Sequence, residues 1–469
     1  MHLIFTTLKL NVTILLLGFF SLLACRKESI NFNKDARLSL GNDTIRFDTV
    51  FTSAGSITQY FLIKNEDKQK IRISNIQLMG GTASMFKMNV DGLPAVQTGG
   101  LEIEGNDSMY VFVSVNINPS AEQLPFIIKD SIKIEWNGNK EYKQLEAWGQ
   151  NAHYLRDEVI ETNTTWNSDL PYVILGGLVV DTNVTLTIPK GTRIHLNANA
   201  PFVVDGTLQI NGTKTDSVVF KSNRLDDPYR DFPGSWPGIY FRGSSKDNVL
   251  NYAYVQNSYQ GIVAEKPASN SNPKVTLNNC VIDNVYDIGV LGLNSSITAN
   301  NCLFSNCGNN VALIYGGTYT FTHCTISSFS NSYLQHKNPV VLATNFTKVN
   351  NQVITSPLTA TFTNSIIWGD GGLVENEIIV QKEGTDPASV TLQNVLFRAK
   401  NDPGNSTLTN VIRNQDPVFD SIDVSNRYYN FRLKAESPAI NKGIITPLLT
   451  DFDGHGRVGL PDLGCFEKQ

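Results

Sequence analysis

One short phrase returns at a fixed interval. The chain reads NNCVIDN around Cys280, NNCLFSN around Cys302 and THCTISS around Cys324, with 22 residues from each cysteine to the next. Aligning the cysteines places Leu277, Ala299 and Phe321 in a second column and Ile282, Phe304 and Ile326 in a third. Ala253, Ser365 and Val395 extend the cysteine column, and Val255, Ile367 and Phe397 extend the last one, at intervals of 27, 22, 22, 41 and 30 residues. A constant core phrase with variable spacing is the signature of a solenoid, whose coils share an interior and differ by loop insertion.

The physical reading is a right-handed parallel β-helix. Its short strands stack on their counterparts one coil away, at roughly 4.8 Å, so like residues lie on like residues. A single coil cannot bury its inward side chains, and stacking does so. Cys280, Cys302 and Cys324 are then an inward ladder of small apolar thiols. In-line thiols lack the clustered spacing of a zinc site. A disulfide between neighbouring coils is the alternative, although parallel side-chain vectors make its dihedral hard to reach. Asn279 and Asn301 precede the cysteines, and Asn257, Asn284 and Asn306 follow the column by four residues. Asparagine tolerates the left-handed backbone of a sharp corner, and its amide can bond the copy above or below, so both sets are expected to be structural ladders. The position just after the cysteine column points outward and reads Tyr254, Val281, Leu303, Thr325, Ile366 and Leu396. That apolar face needs a cover, from a long loop, from another domain or from a partner.

The 469 residues exceed a single domain. Residues 37–152 alternate apolar and polar: Ile71, Ile73 and Ile76, then Val111, Val113 and Val115, then Ile132, Ile134 and Trp136. Period-two alternation marks half-buried antiparallel strands, and Asn137-Gly138 suits a tight hairpin. The expectation is an all-β chain, with a β-sandwich at 37–152 and the β-helix with its closing segment at 158–469. Around FLIKNEDKQKIRISNIQL the first part resembles the immunoglobulin-like modules that precede surface domains in secreted bacterial proteins. NVTLTIPKGTRIHLNANAPFVVDGTLQINGT near the start of the second part, and DFDGHGRVGLPDLGCFE at its end, resemble bacterial β-helix proteins of the pectin-lyase-like superfamily. That resemblance implies the fold; the superfamily holds lyases, hydrolases and adhesins alike.

Residues 1–24 form an apolar targeting segment too short to span a bilayer stably. Residues 22–25, LLAC, resemble the lipobox of bacterial lipoproteins. The resemblance implies cleavage before Cys25, lipidation of its thiol, a tether over 25–36 and anchorage in the outer membrane of a Gram-negative cell, facing the periplasm or the surface. The formal net charge of −5, with no long Lys or Arg run, leaves no basic footprint for nucleic acid.

Two stretches carry candidate chemistry. The insertion NRLDDPYRDFPGSWPGIYF gathers Asp226, Asp227, Asp231 and Arg230 with Tyr229, Trp236 and Tyr240, carboxylates beside aromatic rings as sugar sites use. In the tail, Asp451, Asp453 and Asp462 fall at positions one, three and twelve of a calcium-loop spacing with Gly456 at six; His455 takes position five, where an oxygen ligand belongs. No cofactor motif is present, and calcium is the one ion the spacing admits. The first functional reading is a membrane-anchored, non-catalytic protein that binds polysaccharide or an envelope protein. The alternative is a polysaccharide lyase or glycoside hydrolase acting through the 224–240 insertion.

Overall fold

The computed structural model describes residues 29–51, 58–117, 126–370 and 372–469; Cys25 and segment 1–24 lie outside them. The chain divides into two units, Met1–Asn151 and Ala152–Gln469. Among the described residues, no helix is long and apolar enough to cross a membrane.

In the first unit the alternating runs pair into two sheets. Ile71–Leu78, Phe126–Trp136 and Asn139–Gln150 belong to a six-stranded sheet, and Gln59–Asn65, Phe86–Val90 and Ser108–Val115 to a five-stranded one. Thr44–Phe51 joins the first sheet parallel to Asn139–Gln150, whereas its other pairings are antiparallel. Asn137 (φ 45°) and Gly138 (φ 79°) make the two-residue hairpin between Trp136 and Asn139. The alternation does its expected work: Ile71, Ile73, Ile132 and Ile134 from one sheet and Val111, Val113 and Val115 from the other share one buried core. Each such side chain contributes about 1.5–3 kcal/mol of burial.

Among the described residues, the second unit is built on a parallel ladder of 26 strands, from His153–Ile160 to Ile412–Arg413, with two antiparallel hairpins outside it, Phe346–Val349 with Gln352–Thr355 and Phe419–Asp423 with Tyr428–Leu433. Each strand stacks on its counterpart in the next coil. Thr185–Pro189 pairs with Thr207–Asn211, then Asn248–Asn251, then Val275–Asn278. The ladder starts at His153, ahead of the expected 158, because Tyr154 and Leu155 already pair with Val173 and Ile174. Trp166 stacks on Tyr172 at 4.0 Å and 9° within the first coil's core.

The columns stand in register. Val255, Ile282, Phe304, Ile326, Ile367 and Phe397 pair in succession, as do Leu277, Ala299, Phe321 and Phe362. The Phe321 and Phe362 rings stack at 4.8 Å and 7°, the strand spacing itself. Cys280, Cys302 and Cys324 are fully buried, and all five described cysteines are free. The inter-coil disulfide is therefore not formed. Burial pushes the Cys280 and Cys302 thiols upward, and that of Cys465 to about 12.

The asparagine columns are corners, with φ of 53° and 51° at Asn279 and Asn301 and of 64°, 55° and 53° at Asn257, Asn284 and Asn306. The bonding of the first pair differs from the expected ladder. Asn279 and Asn301 donate to the carbonyls of Asp451 and Thr450 in the tail. Stacked amides occur one position earlier, where Asn300 donates to Asn278 and Asn278 to Asn251. At Asn279 and Asn301 the corner turns the side chain toward the covering segment, whereas the corner residue Asn284 still donates to Asn257 one coil away.

That segment also answers the apolar outer face. Phe419, Phe431, Leu433, Phe452, Leu463 and Phe466 pack on Tyr254, Val281, Leu303, Ile366 and Leu396. The cover is the chain's own C-terminal stretch. Its backbone is held by the corner column: Asn364 donates to the Ile444 carbonyl at 2.7 Å and accepts from the Ile444 amide at 2.9 Å, and Asn394 donates to the Lys442 carbonyl.

Candidate functional site

Two residues beyond the cysteine-column neighbours, the same sheet presents a second outward row: Gln256, Asp283, Ser305 and Ser327, paired in register. This row is polar; Ser305 and Ser327 are buried, whereas Gln256 and Asp283 floor a pocket of about 220 Å³ whose walls come from three other places. The insertion supplies Asp231, the loop after Thr325–Ser328 supplies Asn331, and the hairpin formed by Phe419–Asp423 and Tyr428–Leu433 supplies Arg427 and Tyr429.

The corner asparagines place the insertion. Asn257 donates to the Arg230 carbonyl and Asn284 to the Asp231 carbonyl, both at 2.8 Å, while Asn284 also donates to Asn257 Oδ1. Asp231 is thereby held over the row, where its Oδ2 lies 2.9 Å from Arg427 Nη2 and 3.7 Å from Arg230 Nε. The Arg427 guanidinium covers the Tyr333 ring at 4.3 Å. Tyr333 in turn meets Phe232 edge to face at 4.7 Å, and Phe329 stacks near Tyr429 at 6.4 Å. On the floor, Asp283 Oδ1 accepts from Ser305 Oγ at 2.7 Å and from Asn306 Nδ2 at 3.2 Å. Burial raises the Asp283 carboxyl despite these two bonds, and burial likewise raises the Tyr429 hydroxyl. A carboxyl that keeps its proton to higher pH beside amides and a phenol can donate as well as accept hydrogen bonds.

Of the insertion residues singled out in the sequence, Asp231 alone lines this pocket. Arg224 and Asp226 close on each other through two bonds of 2.7 and 2.8 Å, with Tyr229 under the Arg224 guanidinium at 4.2 Å. Asp227 pairs with Arg230 at 2.9 Å. Trp236 is fully buried and its indole donates to the Gln256 carbonyl, so its ring packs in the helix interior and offers no face to a ligand. Tyr240 donates to the Pro237 carbonyl and packs against Val263, Leu291 and Ala312 on a different face.

The tail aspartates do not form the expected cage. Asp451, Asp453 and His455 do converge. Both Asp451 oxygens, however, accept backbone amides, from His455 at 2.7 Å and Glu467 at 2.8 Å, and Asp453 is paired with Arg432 at 2.6 Å. Asp462 is outside the cluster, with its oxygens taken by the amides of Asn441 and Lys468 at 2.7 Å each. The carboxylates tie the closing segment together, as Arg457 does through Glu467 and Asn301.

A further buried group, His336 with Glu377 at 3.0 Å, is sealed: a Cβ at Gly369 would fall 2.1 Å from Glu377 Oε1. Arg427 and Tyr429 are not among the candidates the sequence offers, and Asp283, beside Asn284, reads there as a turn residue. Asp283 was legible as a member of the polar outward row, whereas Arg427 and Tyr429 carry no local signal.

Residues 158–271 match a family described as a pectate-lyase-like β-helix domain. Comparison with curated proteins gives no match. Among solved structures there is similarity to a family 123 glycoside hydrolase from Clostridium perfringens, described for glycolipid glycan hydrolysis, at 10% identity and a TM-score of 0.19 over 24% of this chain. This chain covers 26% of that one. The catalytic unit of a thermostable GH87 α-1,3-glucanase from Streptomyces thermodiastaticus is similar at 12% identity and a TM-score of 0.26, over 75% of this chain and 87% of the other.

Proposed function

We propose that this protein is a lipoprotein of the Gram-negative outer membrane, anchored at Cys25, that binds glycan in the pocket over Asp283. One observation carries the reading: a concave site whose lining is almost wholly side-chain amide, carboxyl and phenol, the groups that pair with sugar hydroxyls in both directions. The lipobox-like LLAC supports the anchor. The two packed sheets of the first unit support an immunoglobulin-like spacer. Binding is preferred to catalysis because Asp231, the second carboxylate of the pocket, is already engaged by Arg427 and Arg230.

A second reading, glycoside hydrolysis or polysaccharide lysis in the same pocket, is favoured by the raised Asp283 carboxyl, the attribute of a general acid. One experiment separates the two. Purified full-length protein in detergent is titrated with neutral and acidic polysaccharides while new reducing ends and unsaturated uronates are followed. Binding without product, weakened about tenfold by Asp283→Asn, supports the first reading. Product formation abolished by Asp283→Asn replaces it with the second. Absence of any glycan binding removes both.

A further inference from the structure

We infer that the pocket receives the terminal residue of a neutral glycan end-on, and does not hold an internal stretch of an extended or acidic chain; this rests on the glycan-binding reading above.

The first argument is enclosure. The outer face of a parallel β-helix sheet is by itself an open trough, along which a polymer could lie across many coils. Here the trough is fenced. Asp231 reaches Arg427 at 2.9 Å, Arg427 covers Tyr333 at 4.3 Å, and Tyr333 meets Phe232 at 4.7 Å. These contacts join the insertion, the loop at 329–340 and the tail hairpin around the pocket. Phe329 against Tyr429 continues the wall between loop and hairpin, and the Phe329 amide is itself fixed by Asn306 Oδ1 at 3.2 Å. A polymer running through would need two gaps in this ring of contacts, whereas a chain end needs one. The volume agrees. About 220 Å³ falls below the roughly 300–1,000 Å³ typical of sites for larger ligands and suits one sugar ring.

The second argument is charge. Among the lining residues, Arg427 is the one cation, and its guanidinium is spent on Asp231 and Tyr333. The remaining ionisable lining groups are Asp283 and Tyr429, acids both. A uronate or sulfate entering here would give up its water with no free cation among the lining residues to pair with its charge. Hydroxyls, in contrast, find amide donors and acceptors at Asn306, Asn331 and Asn426.

The test is calorimetric titration of the full-length protein in detergent. The probes are methyl glycosides of glucose, galactose, mannose, xylose, fucose and N-acetylglucosamine, their matching pentasaccharides, and a galacturonate oligomer. The expected result is one neutral sugar whose methyl glycoside and pentasaccharide bind within about threefold of each other, no competition by galacturonate, and a loss of about tenfold in Arg427→Ala. A pentasaccharide preferred by about tenfold or more overturns the end-on inference and leaves glycan binding standing. Galacturonate binding as tightly as any neutral probe overturns the neutral class. Binding of none of the probes removes the glycan reading and this inference together.

Discussion

Asn364 is the residue on which the covering segment depends most directly, and its removal has a calculable cost. The side chain is fully buried. Its amide donates to the Ile444 carbonyl at 2.7 Å, accepts from the Ile444 amide at 2.9 Å and faces His323 Nε2 at 3.0 Å. Asn364→Ala leaves those three polar groups without their partner, each worth about 1–3 kcal/mol when buried. Alanine at a φ of 52° adds roughly 1–2 kcal/mol of backbone strain. Water entering the vacated space returns part of this, so a net loss of about 3–5 kcal/mol is expected for opening of the tail. Hydrogen exchange read by mass spectrometry should then show amides of 439–466 exchanging at least about a hundredfold faster, with coils 253–326 little changed. Asn364→Gly keeps the orphaned groups but removes the strain, and should fall between wild type and alanine. Because the tail hairpin carries Arg427 and Tyr429, the alanine variant should also bind glycan more weakly. Exchange within about threefold of wild type in the tail, or an equal rise throughout the coils, would refute the view that this corner column clamps the cover.

Two further outcomes follow from the interior. Burial pushes His195 and His323 down to about 3, so both fold neutral. The unfolded chain takes up those protons below about 6.5. Stability present above pH 6.5 is therefore lost as pH falls toward 3, by roughly 2–3 kcal/mol per histidine at pH 4.5. His323→Asn, which keeps a corner residue at a φ of 54°, should flatten part of that dependence in urea melts at pH 7 and 4.5; an unchanged slope would contradict the assignment. In the thiol ladder, Cys302→Ala should cost about 1–2 kcal/mol, while Cys302→Leu should cost more by crowding Cys280 and Cys324 across the strand spacing. Thiol-specific reagent at pH 8 should leave the native buried cysteines unmodified and react only after denaturation. Rapid native labelling of Cys302 would mean the coils are not packed as described.

The columns were legible because parallel stacking in register converts a shared interior into repeated text; the pairing of Ile282, Phe304 and Ile326 is that text made physical. The outward row was half legible. The apolar row beginning at Tyr254 announced a cover, but what supplies it is a segment downstream of all the coils it protects, through contacts that leave no spacing in the sequence. Asp283 beside Asn284 looks like turn chemistry, but Asn284 alone takes the left-handed corner, while Asp283 ends the strand Val281–Asp283 with its side chain on the pocket floor. Trp236 misled because aromatic-plus-acid composition says nothing of direction: its indole turns inward to the Gln256 carbonyl. Asn279 and Asn301 have left-handed φ of 53° and 51°, and their amides serve the tail rather than each other.

The order of these parts along the chain has a consequence for biogenesis. Residues 419–466, which sheathe Val281, Leu303, Ile366 and Leu396, are encoded after every coil they protect. A ribosome or an export channel delivers the coils first, so a greasy stripe stays bare until residues 419–466 emerge. Any stall or premature stop near Arg413 would yield a spiral with a sticky flank, prone to self-association and in need of a holding chaperone.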